Sequence, residues 1–192
     1  MTEREFDASP AGATLDAMLQ QLGREFPGFR IVDKRDSRLS RWIDRVLRIV
    51  TLGGQDKFMS HYHTVIGYTL YVPPTWEMLA EIDKIVLLRH ERIHLLQRRR
   101  LTFVGMALLY LIPLLPLGLA YGRARLEWEA YTETLRATAE LKGIEAARDP
   151  ALRRAIVSRF VGPDYGWMWP FPKAIERWYD GVLATLTPAA RQ

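Results

Sequence analysis

The sequence predicts an α+β fold, mostly helical, with a small antiparallel sheet. Apolar residues recur at helical spacing in several segments, β-branched and aromatic residues crowd into one stretch ending at Val72, and a helix apolar on every side falls mid-chain. With 192 residues, 48% of them hydrophobic and 26% charged, the chain is long and apolar enough for one domain, residues 1–192, around a packed core. The absence of cysteine excludes a disulfide scaffold, a Cys-ligated metal site, an iron–sulfur centre and a thiol nucleophile. A formal charge of +5, carried mostly by arginine, suits an anionic surface without proving one.

Leu15, Met18, Leu19, Leu22 and Phe26 repeat every three or four residues and predict an amphipathic helix that stops near Pro27-Gly28. Phe29 to Val32 reads as a brief strand. Asp36-Ser37 is a good N-cap pair for a second helix, whose Leu39, Trp42, Ile43, Val46, Leu47 and Val50 form an apolar stripe opposite Arg38, Arg41, Arg45 and Arg48. Gly53-Gly54 ends it. From Lys57 to Val72 the composition is β-like, with Gly67 marking a bulge or bend and Pro73-Pro74 a stop. A long helix then starts near Thr75 or Ile82, and further helices are expected at 123–141, 150–160 and 172–186.

The central helix carries His90-Glu91-Arg92-Ile93-His94. Two histidines four apart on a helix project both imidazoles from one face, about 6 Å apart, a spacing that suits one zinc ion. Glu91 lies about 100° round the helix, where a carboxylate reaches an attacking water without being a ligand. The bland alternative is a pair of hydrogen-bonded core histidines, but a helix apolar on all sides is a costly place for two imidazoles and a carboxylate without a cation.

These residues resemble the signature helix of the zincin metallopeptidases, and Gln97 extends the match to the longer form H-E-x-x-H-x-x-Q. Arg92 departs from the usual uncharged residue but points away from the His90/His94 face. In the gluzincin branch the third ligand is a Glu on a later helix, in a pattern close to E-x-x-A-D. Here Glu127-Trp128-Glu129-Ala130-Tyr131 supplies Glu127 at the ligand position, with Tyr131 in place of the Asp. Helical phase supports Glu127 independently: Glu129, Glu133, Arg136 and Glu140 share a polar face, whereas Glu127 falls with Ala124, Tyr131, Thr134, Leu135 and Thr138 on the inward one. Glu129 is the fallback, and Tyr131 or Gln97 is available to hydrogen-bond a ligand. The resemblance spans residues 87–135 and the preceding strand, and it implies a zincin-like minimal metallopeptidase domain.

The resemblance further implies Zn2+ held by His90, His94 and Glu127, and hydrolysis of a peptide or protein substrate by a zinc-activated water with Glu91 as general base. Tyr131, Tyr165 and His61 or His63 are candidates for stabilising the oxyanion, although His61 and His63 read more simply as surface residues of a strand. Two alternatives remain: an inactive zincin fold serving as a metal- or partner-binding module, and an integral membrane protein with an accidental motif.

Residues 101–120 contain no charge and eight leucines, enough for a membrane span by length. A single crossing would separate His90 and His94 from Glu127 by about 30 Å of hydrocarbon, so one metal site and one span exclude each other. The segment is instead expected as a projecting hairpin between the two ligand-bearing helices, turning around 112–117, with Arg98, Arg99, Arg100, Arg123 and Arg125 at its base. It either dips into a membrane surface, docks on a partner, or packs as core against the 39–50 helix. The Arg-rich helix beside Trp42 also suits a lipid interface. No motif supports nucleic-acid binding. The polar first ten residues lack an apolar core, so no signal peptide is expected, and the location expected is cytoplasmic, with peripheral or monotopic membrane association left open. The aromatic stretch 162–172 either caps a core or walls a cleft.

Overall fold

A computed structural model describes residues 14–50, 58–61, 63–111, 120–162 and 168–186, with the backbone alone at 46–50, 58, 61, 102–104 and 106–111. The expected end of the second helix at Gly53-Gly54, the hairpin turn at 112–117 and Tyr165 lie outside those residues.

Helix α1 (Leu15–Glu25) begins at Thr14, whose hydroxyl accepts from Ala17 N, and buries Met18 and Leu22. Strand β1 (Arg30–Asp33) and a 3₁₀ turn (Lys34–Asp36) lead to α2 (Arg38–Val50), where Ser37 Oγ accepts from Ser40 N at 3.0 Å. A short helix, α3 (Phe58–His61), precedes strands β2 (Thr64–Ile66) and β3 (Thr69–Val72). The long α4 (Glu81–Leu111) and α5 (Tyr121–Lys142) follow, then the short α6 (Ile144–Ala147), α7 (Pro150–Val161) and α8 (Pro172–Leu186).

The mostly helical α+β class is as expected, but the sheet is mixed rather than antiparallel. Its order is β1-β3-β2, with β3 parallel to β1 (Arg30 opposite Thr69) and antiparallel to β2 (Val65 opposite Leu70). The long connection carrying α2 and α3 returns the chain to run alongside β1 in the same direction, which a short turn cannot do. Gly67 is neither bulge nor bend within one strand: at φ +67° it opens the two-residue turn between β2 and β3. All four residues of β3 are buried, as its central position requires.

Two further expectations change. Leu39 and Trp42 of the α2 stripe are 41% and 62% exposed, while Ser37 and Ser40 are buried. The capping serine turns its own side of the helix inward, so this part of the stripe is not core. His61 ends α3 rather than lying on a strand, and His63 precedes β2 with a half-buried ring set edge-on to Trp76, so it is not a surface residue.

Leu88 and Leu95 of α4 join Met18, Leu22, Phe26, Leu70, Val72 and Trp76 in one core, while Ala124 and Leu135 of α5 join Phe160, Met168, Ile175 and Tyr179 in a second. Arg92 reaches α1 through a two-point pair with Glu25, at 2.6 and 2.8 Å, and so points away from the histidines. Within the aromatic stretch, Met168 is fully buried and Trp169 packs on Trp128, capping the second core.

Candidate metal centre

Helices α4 and α5 run antiparallel, and charged pairs fix their register. Arg89 pairs with Glu133 (2.6 Å) and Glu140, and Asp83 with Lys142. That register sets His90 and His94 opposite Glu127, Tyr131 and Thr134.

The two Nε2 atoms lie 3.2 Å apart, and Glu127 Oε2 lies 3.9 Å from that of His90 and 3.8 Å from that of His94. A triangle with these sides has a circumradius of about 2.1 Å, the length of a bond from nitrogen or oxygen to a small divalent cation. His90, His94 and Glu127 thus form a buried group that could hold a metal ion.

Hydrogen bonding fixes which ring nitrogens face the centre. Gln97 Nε2 donates to the Leu126 carbonyl (3.0 Å) and to Glu129 Oε2 (2.9 Å), so its Oε1 is turned to His94 Nδ1 at 3.0 Å and accepts from it. Thr134 Oγ1 donates to the Ala130 carbonyl (3.3 Å) and accepts from His90 Nδ1 at 2.9 Å. Both protons sit on Nδ1, so both Nε2 lone pairs aim at the same point as a carboxylate oxygen. That donor set suits a cation.

The electrostatics agree. Burial, reinforced by His94, depresses the His90 pKa to about 3, so the ring is neutral and ready to ligate. Burial likewise raises Glu91 to about 7, with Glu127 adding to the rise while His94 and Lys34 oppose it. Tyr131 sets its ring edge-on to His90, 4.8 Å between centroids, and rests on Phe160 behind. Glu129 is exposed and is spent on Gln97, which makes it a support for a ligand rather than the ligand.

Sequence reasoning missed Lys34. This residue of the 3₁₀ turn is fully buried, donates to Thr64 Oγ1 at 3.1 Å, and has its pKa pulled down to about 8 by burial against the upward pull of Asp44 and Glu91. It places a cation on the sheet side of the centre, within electrostatic reach of Glu91 and His63. Nothing in its local sequence distinguishes it from neighbouring solvated basic residues. Thr134 was legible only as part of the inward face of α5.

Comparison with protein-family models, curated proteins and solved structures finds no match. Among the described residues, no helix is long and apolar enough to cross a membrane.

Proposed function

We propose that the chain is a zinc-dependent metallopeptidase, with His90, His94 and Glu127 as zinc ligands and Glu91 as general base. The observation that carries the reading is the convergence of two tautomerically fixed imidazoles and one carboxylate on a single point, with a further buried carboxylate on the residue next to His90. Three protein ligands of this type are the donor set of a catalytic zinc, whereas a structural zinc is held by four. Bound there, zinc would acidify a water molecule and polarise a peptide carbonyl.

The chain's own residues supply the rest. Glu91 takes a proton from the attacking water and passes it to the departing amine, a task for a carboxylate that burial keeps from being strongly acidic. Gln97 and Thr134 hold the two rings in their ligating orientation. Tyr131, against His90, is the hydroxyl proposed to face the developing oxyanion.

The test is hydrolysis of a peptide library by the zinc-loaded chain. Glu91→Gln should retain one zinc and lose turnover by at least about a hundredfold. Zinc binding without turnover on any peptide would favour the non-catalytic module; turnover that survives Glu91→Gln would remove the general base from this account.

A further inference from the structure

Helix α4 outruns its partner. Asp83 pairs with Lys142, His90 with Thr134 and Gln97 with Leu126, so each step towards the end of α4 meets a step towards the start of α5. Extrapolated, Tyr121 at the beginning of α5 stands level with about residue 102 of α4. The helix nevertheless continues to Leu111. Ten residues at about 1.5 Å each run some 15 Å past the body of the α4–α5 pair.

The charge pattern of this end is one-sided. Between Gln97 and Leu126 the chain has no Asp or Glu at all, and its five arginines stand only at the base, as Arg98, Arg99 and Arg100 on α4 and Arg123 and Arg125 on α5. A second segment completes the base. Ala120 N donates to the Met168 carbonyl at 3.1 Å, which seats the chain around Trp169 beside the start of α5. There Trp169 lies between Tyr121 and Phe171, at centroid distances of 5.6 and 5.2 Å, and these two rings are 46% and 50% exposed. Trp169, Phe171 and their flanking prolines wall an open apolar hollow of about 420 Å³, rimmed by the exposed Lys173 and Arg177.

We propose that this end of the molecule docks on an anionic lipid bilayer, with Tyr121, Trp169 and Phe171 at headgroup level and the last three turns of α4 in the near leaflet. Amphipathic aromatic rings and basic side chains are the groups that settle at a charged membrane interface. An uncharged projection of about 15 Å matches half of a hydrocarbon core about 30 Å thick, so it would enter one leaflet without crossing. A second copy of the chain is a poor occupant, because a symmetric contact would set one basic rim against another. His94 precedes Leu101 by seven residues, so the metal centre would stand about 10 Å above the bilayer. Resting on the peptidase reading, the substrates are then peptide bonds close to a membrane surface.

The experiment is co-sedimentation of the full chain with vesicles of phosphatidylcholine, with and without phosphatidylglycerol, in the presence of a chelator so that the metal centre plays no part. Binding is expected to the anionic vesicles, with a blue shift of tryptophan emission. Lys173→Glu with Arg177→Glu should weaken it by at least about tenfold, given roughly a factor of five per interfacial charge. Phe171→Asp should do likewise. All three positions are exposed, and circular dichroism checks that the variants remain folded. Failure to sediment with either vesicle overturns the proposal, as does binding that these variants leave intact. A vesicle-indifferent dimer that Phe171→Asp dissociates also overturns it, assigning the face to a second copy. None of these results bears on hydrolysis of soluble peptides, so the two readings fail separately.

Discussion

Gln97 joins the two halves of the candidate metal centre. Its Oε1 accepts from His94 Nδ1 at 3.0 Å, and its amide nitrogen holds the carbonyl of Leu126, the residue before Glu127. One side chain on α4 thus orients a histidine ligand and ties down the backbone that presents the carboxylate. Gln97→Leu is expected to lower zinc affinity by about 10- to 100-fold in competition with a chelator while leaving helicity unchanged. Thr134→Val, which keeps the shape and removes the acceptor for His90, should act in the same direction. Wild-type affinity in both variants would mean that packing alone orients the rings.

His63 gives the protein a predictable sensitivity to acid. Its half-buried ring lies edge-on to Trp76, and desolvation, reinforced by Lys34 and Arg159, lowers its pKa from 6.5 to about 4; His90 is a further neighbour, itself neutral. Between those two values the unfolded chain binds the proton that the folded ring refuses, so the contribution of His63 to stability falls as the pH drops from about 6.5 to about 4 and its penalty is complete below that. His63→Gln should flatten this part of the stability–pH profile of the metal-free protein, by up to one proton, when urea midpoints are compared across the window. Parallel profiles would place the ring in contact with water.

The two-core arrangement ranks the apolar residues of α4. Leu88 and Leu95 are fully buried between α1 and the sheet, whereas Ile82 is 40% exposed. Leu95→Ala and Leu88→Ala should each cost about 2–5 kcal/mol, and Ile82→Ala within about 0.5 kcal/mol of nothing, in urea unfolding. Comparable losses at all three would contradict the burial described.

The candidate metal centre was legible in the sequence wherever its geometry is local. His90 and His94 are four apart on one helix, and helical phase alone turned Glu127 inward and Glu129 outward. What the sequence did not disclose depends on the path of the chain between elements. The parallel pairing of β1 with β3 follows from a crossover through α2 and α3, which no periodicity announces. Lys34 comes within electrostatic reach of Glu91 only because the turn after β1 seats it against Thr64 of β2. The apolar stripe of α2 misled for a related reason: amphipathicity marks a face that can be buried, while the Ser37 cap and the position of Ser40 decide which side turns inward at the start of the helix.

Zinc stoichiometry in Glu127→Ala and Glu129→Ala, each beside the wild-type chain, tests the central claim most directly, because the two carboxylates are two residues apart and only one faces the histidines. The account predicts one tightly bound zinc per chain in the wild type, retention of that zinc in Glu129→Ala with an affinity lower by no more than about the 10- to 100-fold expected of a supporting residue, and its loss in Glu127→Ala. Zinc bound as tightly by Glu127→Ala as by the wild type, or no zinc bound by the folded wild-type chain, would contradict it.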